Sequence, residues 1–129
     1  MKLLEPITLR NLTVSNRVVV PAMVTRLSGE DGLVNQAVID RYVRYAQGHV
    51  GLIVVEAMGV SASRSGPLLR IGGDEFLPGL RRLARRVHEA GEAGPVKVVP
   101  QIIHFLKISR SGWRQTIHDL TQAEIHAIV

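Results

Sequence analysis

Gly51-Leu52-Ile53-Val54-Val55-Glu56-Ala57 is a continuous apolar run that closes on a carboxylate and a small residue. It is too short for a buried helix and too uniformly apolar for a strand with one wet face, which leaves a strand covered on both faces, as in parallel sheets. The flanking residues agree. Upstream, Asn35 is placed to cap a helix over about Gln36 to Gln47, in which Val38, Ile39, Tyr42, Val43 and Ala46 recur at helical spacing before Gly48 stops it. Downstream, Met58 to Asp74 is Gly- and Ser-rich and reads as a long loop. A second helix follows over Phe76 to Ala90, carrying Phe76, Leu77, Leu80, Leu83, Ala84 and Val87 on one side. Pro78 sits in its first turn, where a missing N–H costs nothing, and Gly91 ends it.

Farther out the same alternation continues. Val96 to Ile103 is another strand candidate, with Pro100 awkward in its middle. Arg17-Val18-Val19-Val20 is a third, ended by Pro21, and its three valines suit burial on both faces. Met23 to Gly32 is a mixed, Gly-containing loop. Ahead of these, Ile7-Thr8-Leu9 and Leu12-Thr13-Val14 flank Arg10-Asn11 as a hairpin with a two-residue turn. At the other end, Thr121 with Glu124 forms a capping box for a third helix. The predicted order is a hairpin, then β-α-β-α-β, then the first turns of a helix. Strands alternating with helices of this length give an α/β fold with parallel strands and right-handed crossovers. No repeat or linker divides it, so residues 1–129 read as one structural unit.

Composition narrows the class. The 129 residues are 46% apolar and 21% charged, with 16 basic and 11 acidic side chains and a formal net charge of +5. That is a globular balance. The absence of cysteine excludes disulfides, thiolate metal sites and a cysteine nucleophile. No apolar run approaches the ~20 residues that span a bilayer. The opening Met1-Lys2-Leu3-Leu4-Glu5-Pro6 lacks the apolar stretch of a signal peptide, so a cytoplasmic protein is expected.

In a parallel α/β sheet, chemistry gathers at the carboxyl ends of the strands. Those places are Pro21 to Thr25, Glu56 to Gly59 and Gln101 to His104. Gln101 offers a donor and an acceptor, the pair that reads an imide edge of a heterocycle, although a strand-end glutamine is commonly bonded to neighbouring backbone. His104 suits acid–base work or an anion contact, or a plain structural bond. Glu56 is a candidate general base, yet a carboxylate ending a buried strand commonly pairs with an arginine or a backbone N–H. Arg81, Arg82, Arg85 and Arg86 share the outer side of the second helix. With no aromatic side chains nearby for base stacking, a solvated face is the simpler reading than a nucleic-acid stripe. Gly72-Gly73 belongs to no phosphate-loop pattern, and His49, His88, His118 and His126 have no metal-ligand spacing with carboxylates.

Four segments together resemble the start of the old yellow enzyme family, the FMN-dependent NAD(P)H:flavin oxidoreductases. They are Leu4-Glu5-Pro6-Ile7 through Asn11-Leu12-Thr13-Val14-Ser15-Asn16-Arg17-Val18; Pro21-Ala22-Met23-Val24-Thr25; Gly51 through Ala57; and Gln101-Ile102-Ile103-His104, followed at a distance by Asp119-Leu120-Thr121 and Ala123-Glu124-Ile125. The order and spacing extend over nearly the whole chain and look nearest to the 2,4-dienoyl-CoA reductase and enoate reductase branch. The resemblance implies a (β/α)8 TIM barrel with FMN at the carboxyl ends of its strands. By the same resemblance Pro21, Ala22, Met23 and Val24 line the flavin ring, Ala57 packs beside it, and Gln101 bonds its pyrimidine edge. Val24 stands where relatives often carry a Thr or Cys donor, which a valine cannot replace. His104 and Trp113 are the substrate-side candidates, and Phe105-Leu106-Lys107 departs from the family's usual continuation.

The resemblance further implies NADH or NADPH as reductant and an activated alkene, acyl-CoA included, as substrate. The family's proton donor, substrate-binding pair and phosphate site match nothing in residues 1–129, so no catalytic residue is assigned within this chain. Against the ~250 residues of a typical barrel, the expectation is an N-terminal portion of one (hairpin plus about three βα units). It is expected to be inactive alone, to need the remaining barrel as its partner, and to associate into oligomers through open sheet edges. The alternative is a non-catalytic basic module that binds an acidic partner or nucleic acid.

Overall fold

The computed structural model of the chain describes residues 2–60, 66–91, 94 and 96–104. After a 3-10 turn over Lys2–Leu4, the hairpin forms as read: β1 (Ile7–Leu9) pairs antiparallel with β2 (Leu12–Val14), Ile7 opposite Val14 and Leu9 opposite Leu12. Arg10 takes φ 52, the left-handed geometry that a tight turn asks of its central residues. Buried Asn16 then ties the hairpin to the sheet. Its Nδ2 donates to His49 O at 2.6 Å and its Oδ1 accepts from Val18 N at 2.9 Å.

β3 is only Val19–Val20, shorter than the Arg17–Val20 run, and Val19 is 49% exposed. The expected burial on both faces fails here because β3 has one described neighbour and cover on one face. α1 (Gln36–Gln47) has the predicted bounds, with Asn35 Oδ1 accepting from Val38 N at 3.1 Å. It ends at Gly48, but the left-handed φ of 57 falls on His49. β4 (Leu52–Gly59) is the predicted apolar strand, begun one residue later and carried two residues farther. β5 (Leu69–Arg70) is a two-residue strand inside the stretch expected to be loop. A 3-10 turn over Asp74–Phe76 leads into α2 (Leu77–Glu89), with Pro78 in its first turn, and β6 (Lys97–Ile103) closes the series. Leu77, expected in the apolar stripe, is exposed. The capping box at Thr121 and Glu124 lies outside the described residues.

β4 is the spine of the sheet. β6 runs parallel along one of its edges from Leu52 to Gly59. The other edge is shared: β3 pairs with Leu52 and Ile53, and β5 pairs with Met58 and Gly59. Between them the chain leaves the sheet at Pro21. Both helices lie on one face, where Val38, Ile39, Tyr42, Ala46, Leu83 and Val87 close over Ile53, Val55, Met58 and Leu69. Each fully buried aliphatic side chain contributes roughly 1.5–3 kcal/mol by leaving water, so this layer supplies the main driving force. Among the described residues the sheet stays open and does not close into a barrel.

Candidate functional site

The register of β6 against β4 slips once. Val55 stands opposite Pro100 and Met58 opposite Ile102, so Glu56 and Ala57 together face Gln101 alone. Two residues against one is a β-bulge, a device that re-aims side chains and recurs beside functional sites. The packing confirms it: Val55 and Met58, three apart, both enter the helix-facing core, which strict alternation forbids. Pro100, awkward for a strand interior, sits beside this irregularity, where its missing N–H is tolerated.

The bulge turns Glu56 into the protein, where it is wholly buried. Its Oε2 accepts from Thr25 N at 2.8 Å and its Oε1 from Thr25 Oγ1 at 2.7 Å. Tyr42 Oη donates to Oε1 at 3.3 Å and accepts from Glu56 N at 2.8 Å. Every side-chain partner of Glu56 is a donor, which matches a carboxylate acting as a pure acceptor. Burial, with the Glu56 charge beside it, pushes the Tyr42 phenol well above the usual tyrosine range, although the bond from the Glu56 backbone opposes that shift. Of the two readings of Glu56, the structural one fits: it is sealed from solvent and bonded to a backbone N–H.

The candidate residues meet at this end of the sheet. Pro21, Met23 and Val24 are exposed and Ala22 half-buried along the segment leaving β3. Thr25, at the far end of that segment, is pinned to Glu56, whose chain neighbour is Ala57. Ala57 is buried in the bulge, and Gln101 across from it is exposed, its amide bonded by no described residue. His104 follows β6 half-buried, and its Nδ1 has no hydrogen-bond partner among the described residues. Trp113 lies outside the described residues. An exposed apolar strip beside one exposed amide can hold a flat ring by its face and read it by its edge.

In the sequence Thr25 stands within the strand-end stretch Pro21 to Thr25 with no partner in view, and Tyr42 stands only as part of the apolar stripe of the first helix. The available signal was Glu56 itself, since a carboxylate inside an apolar run must find donors. The arginines of α2 are exposed, and Arg85 pairs loosely with Glu89 at 4.0 Å. An open groove of about 610 Å³ beside them takes in Leu33, Val34, Glu75, Arg81, Arg82 and Arg85, away from the bulge. This is a solvated face. No group of three metal-ligating side chains and no helix able to cross a membrane occurs among the described residues.

Comparison with known proteins points the same way. Residues 2–109 match the model of the NADH:flavin oxidoreductase / NADH oxidase family. The chain is 40% identical to NADH oxidase of Thermoanaerobacter brockii over 115 residues, covering 87% of this chain and 16% of that protein. It is 39% identical to NADPH dehydrogenase of Geobacillus sp. (strain WCH70) over 105 residues, covering 79% of this chain and 30% of that one. Among solved structures, old yellow enzyme from Pichia sp. AKU4542 superposes with a TM-score of 0.69 at 19% identity, covering 78% of this chain and 26% of that one. The chain thus spans less than a third of the length of these relatives.

Proposed function

The chain belongs to the NADH:flavin oxidoreductase / NADH oxidase family, and from that premise we propose that its bulge end is the ring-facing floor of an FMN site. In this reading Pro21, Ala22, Met23 and Val24 lie along the flavin, Ala57 closes the floor beside it, and Gln101 bonds the pyrimidine edge. The observation that carries the proposal is the two-against-one bulge, which sets Ala57 and Gln101 side by side at the level where Thr25 is anchored. The residues suit the group. Met23 and Val24 give exposed apolar contact, and the Gln101 amide has the donor–acceptor pair an imide edge requires. Val24 has no hydrogen to donate, so it contributes contact alone.

When bound, FMN supplies hydride acceptance from NADH or NADPH and hydride delivery to a second substrate. The second substrate proposed is an activated alkene of the enoate or enoyl type, with acyl-CoA esters within the class and His104 and Trp113 on its side. This chain's own part is to hold the ring, shield one face from water and fix its edge. We place 1–129 within a single barrel unit in a soluble, cytoplasmic setting. Turnover is expected only where further strands complete the barrel, since eight are needed and an open sheet holds no enclosed site.

The test compares the absorption spectrum of the purified chain, dialysed against FMN, with and without the later barrel strands of a relative supplied in trans. Flavin should be retained in stoichiometric amount only in the completed assembly, and less of it after Gln101→Ala. Equal retention by the Gln101→Ala assembly would overturn the assignment.

A further inference from the structure

Glu56 and Tyr42 are not exposed to any bound ring, yet the geometry points to both as positioning residues of the proposed site. We propose that the buried Glu56 carboxylate, itself held by Tyr42, fixes the shape of the Pro21–Thr25 segment on which the flavin would lie. This inference rests on the reading of that segment as flavin-facing.

The segment has little else to hold it. Residues 21–27 belong to no helix or strand, and three of their side chains, Met23, Val24 and Leu27, are exposed apolar groups that water does not anchor. Among the described residues, three hydrogen bonds fasten this stretch to the rest of the fold. Two run from Thr25 to the two oxygens of Glu56, and the third joins Asn35 Nδ2 to Leu27 O. Thr25 Oγ1 also accepts from Leu27 N at 3.2 Å, which carries the anchor one step farther along the chain. A bidentate grip on one residue's N–H and hydroxyl fixes both its position and its rotamer.

Burying a carboxylate is a costly way to fill space. An apolar side chain of similar volume would stabilise the fold as well or better, so retaining the charge is explained by the geometry it enforces. Tyr42 completes the arrangement. Its hydroxyl accepts from Glu56 N inside the bulge and donates to Glu56 Oε1, so one phenol holds both the backbone and the side chain of the same residue. The bulge, the anchor and the ring-facing segment therefore form one hydrogen-bonded unit running from α1 through β4 to the end of β3.

The experiment uses isotope-labelled chain in three forms besides the parent: Glu56→Gln, Thr25→Val and Thr25→Ser. Two signals are read by NMR: the exchange rate of the Thr25 amide without ligand, and the FMN-induced shifts at Met23, Val24 and Gln101 in the chain completed by a relative's later barrel strands. Glu56→Gln should speed Thr25 exchange by about tenfold or more, the size of a lost charge-assisted bond. Thr25→Val, which keeps the backbone bond and the side-chain volume, should disperse the Met23 and Val24 signals, and Thr25→Ser should restore them. FMN shifts at Met23 and Val24 should shrink in Glu56→Gln while those at Gln101 persist. Unchanged Thr25 exchange in a folded Glu56→Gln chain would overturn the inference, as would undiminished FMN shifts at Met23 and Val24. If the parent chain completed by those strands shows no FMN shifts, the flavin assignment fails, while Thr25 exchange still decides the positioning role.

Discussion

Folding makes the Tyr42 phenol a weaker acid. Its pKa is raised above the ordinary tyrosine value of about 10, chiefly by burial. A raised folded value means that the native state keeps the proton after the unfolded chain has lost it. The contribution is thus fully present below about pH 10 and is lost as pH rises through the folded value. Urea unfolding of the chain between pH 8 and 11 should show stability falling above about pH 10, and Tyr42→Phe should flatten that decline from a lower starting stability. An equally steep decline in the variant would contradict the assignment. At this scale the sequence was informative where a residue's role is local and silent where it depends on a distant partner. Gln101, Ala57 and Pro21 to Val24 were picked out because they end strands or match a motif. Thr25 ends the same stretch, but its role does not show there, since its partner lies 31 positions along the chain and nothing near it signals a buried carboxylate.

Elements fared better, again for local reasons. The hairpin and α1 were legible to the residue because their determinants lie within them: Arg10-Asn11 between alternating runs, and an Asn35 side chain that reaches Val38 N. Asn35→Ala should cost about 1 kcal/mol, the usual worth of an N-cap, and Asn35→Asp should recover most of it. Thermal melts of the two variants measure this directly. β5 was not legible, because two residues carry no pattern and the strand exists only through Met58 and Gly59. β3 is shorter and more exposed than its sequence suggests for the matching reason: three valines describe a preference, while burial depends on neighbours. The bulge announced itself only as an unexplained Pro100.

On the scale of the molecule, the open sheet is the dominant fact. Val19, Val99 and Ile102 are exposed, Ile102 by 61%, and β3 and β6 each have one described neighbour. Such edges template pairing with another chain. Sedimentation of the 129-residue chain should therefore show association that rises with concentration, and Ile102→Lys should reduce it, since a charge on an edge strand blocks further pairing. A parent chain that stays monomeric across the range would contradict this. The α/β class and its parallel strands were visible from alternation alone, whereas the barrel came from a resemblance, because four strands of an open sheet are common to many folds.

The proposed flavin site is one surface, the strip from Pro21 to Val24 with Ala57 and Gln101. Its most direct test is a titration with FMN of the labelled chain completed by a relative's later barrel strands, read as a map of shifted backbone and methyl signals. Shifts should concentrate at Met23, Val24, Ala57 and Gln101, with the arginine face of α2 unmoved. Shifts confined to Arg81, Arg82, Arg85 and Arg86, as a phosphate on a basic surface would give, would contradict the assignment.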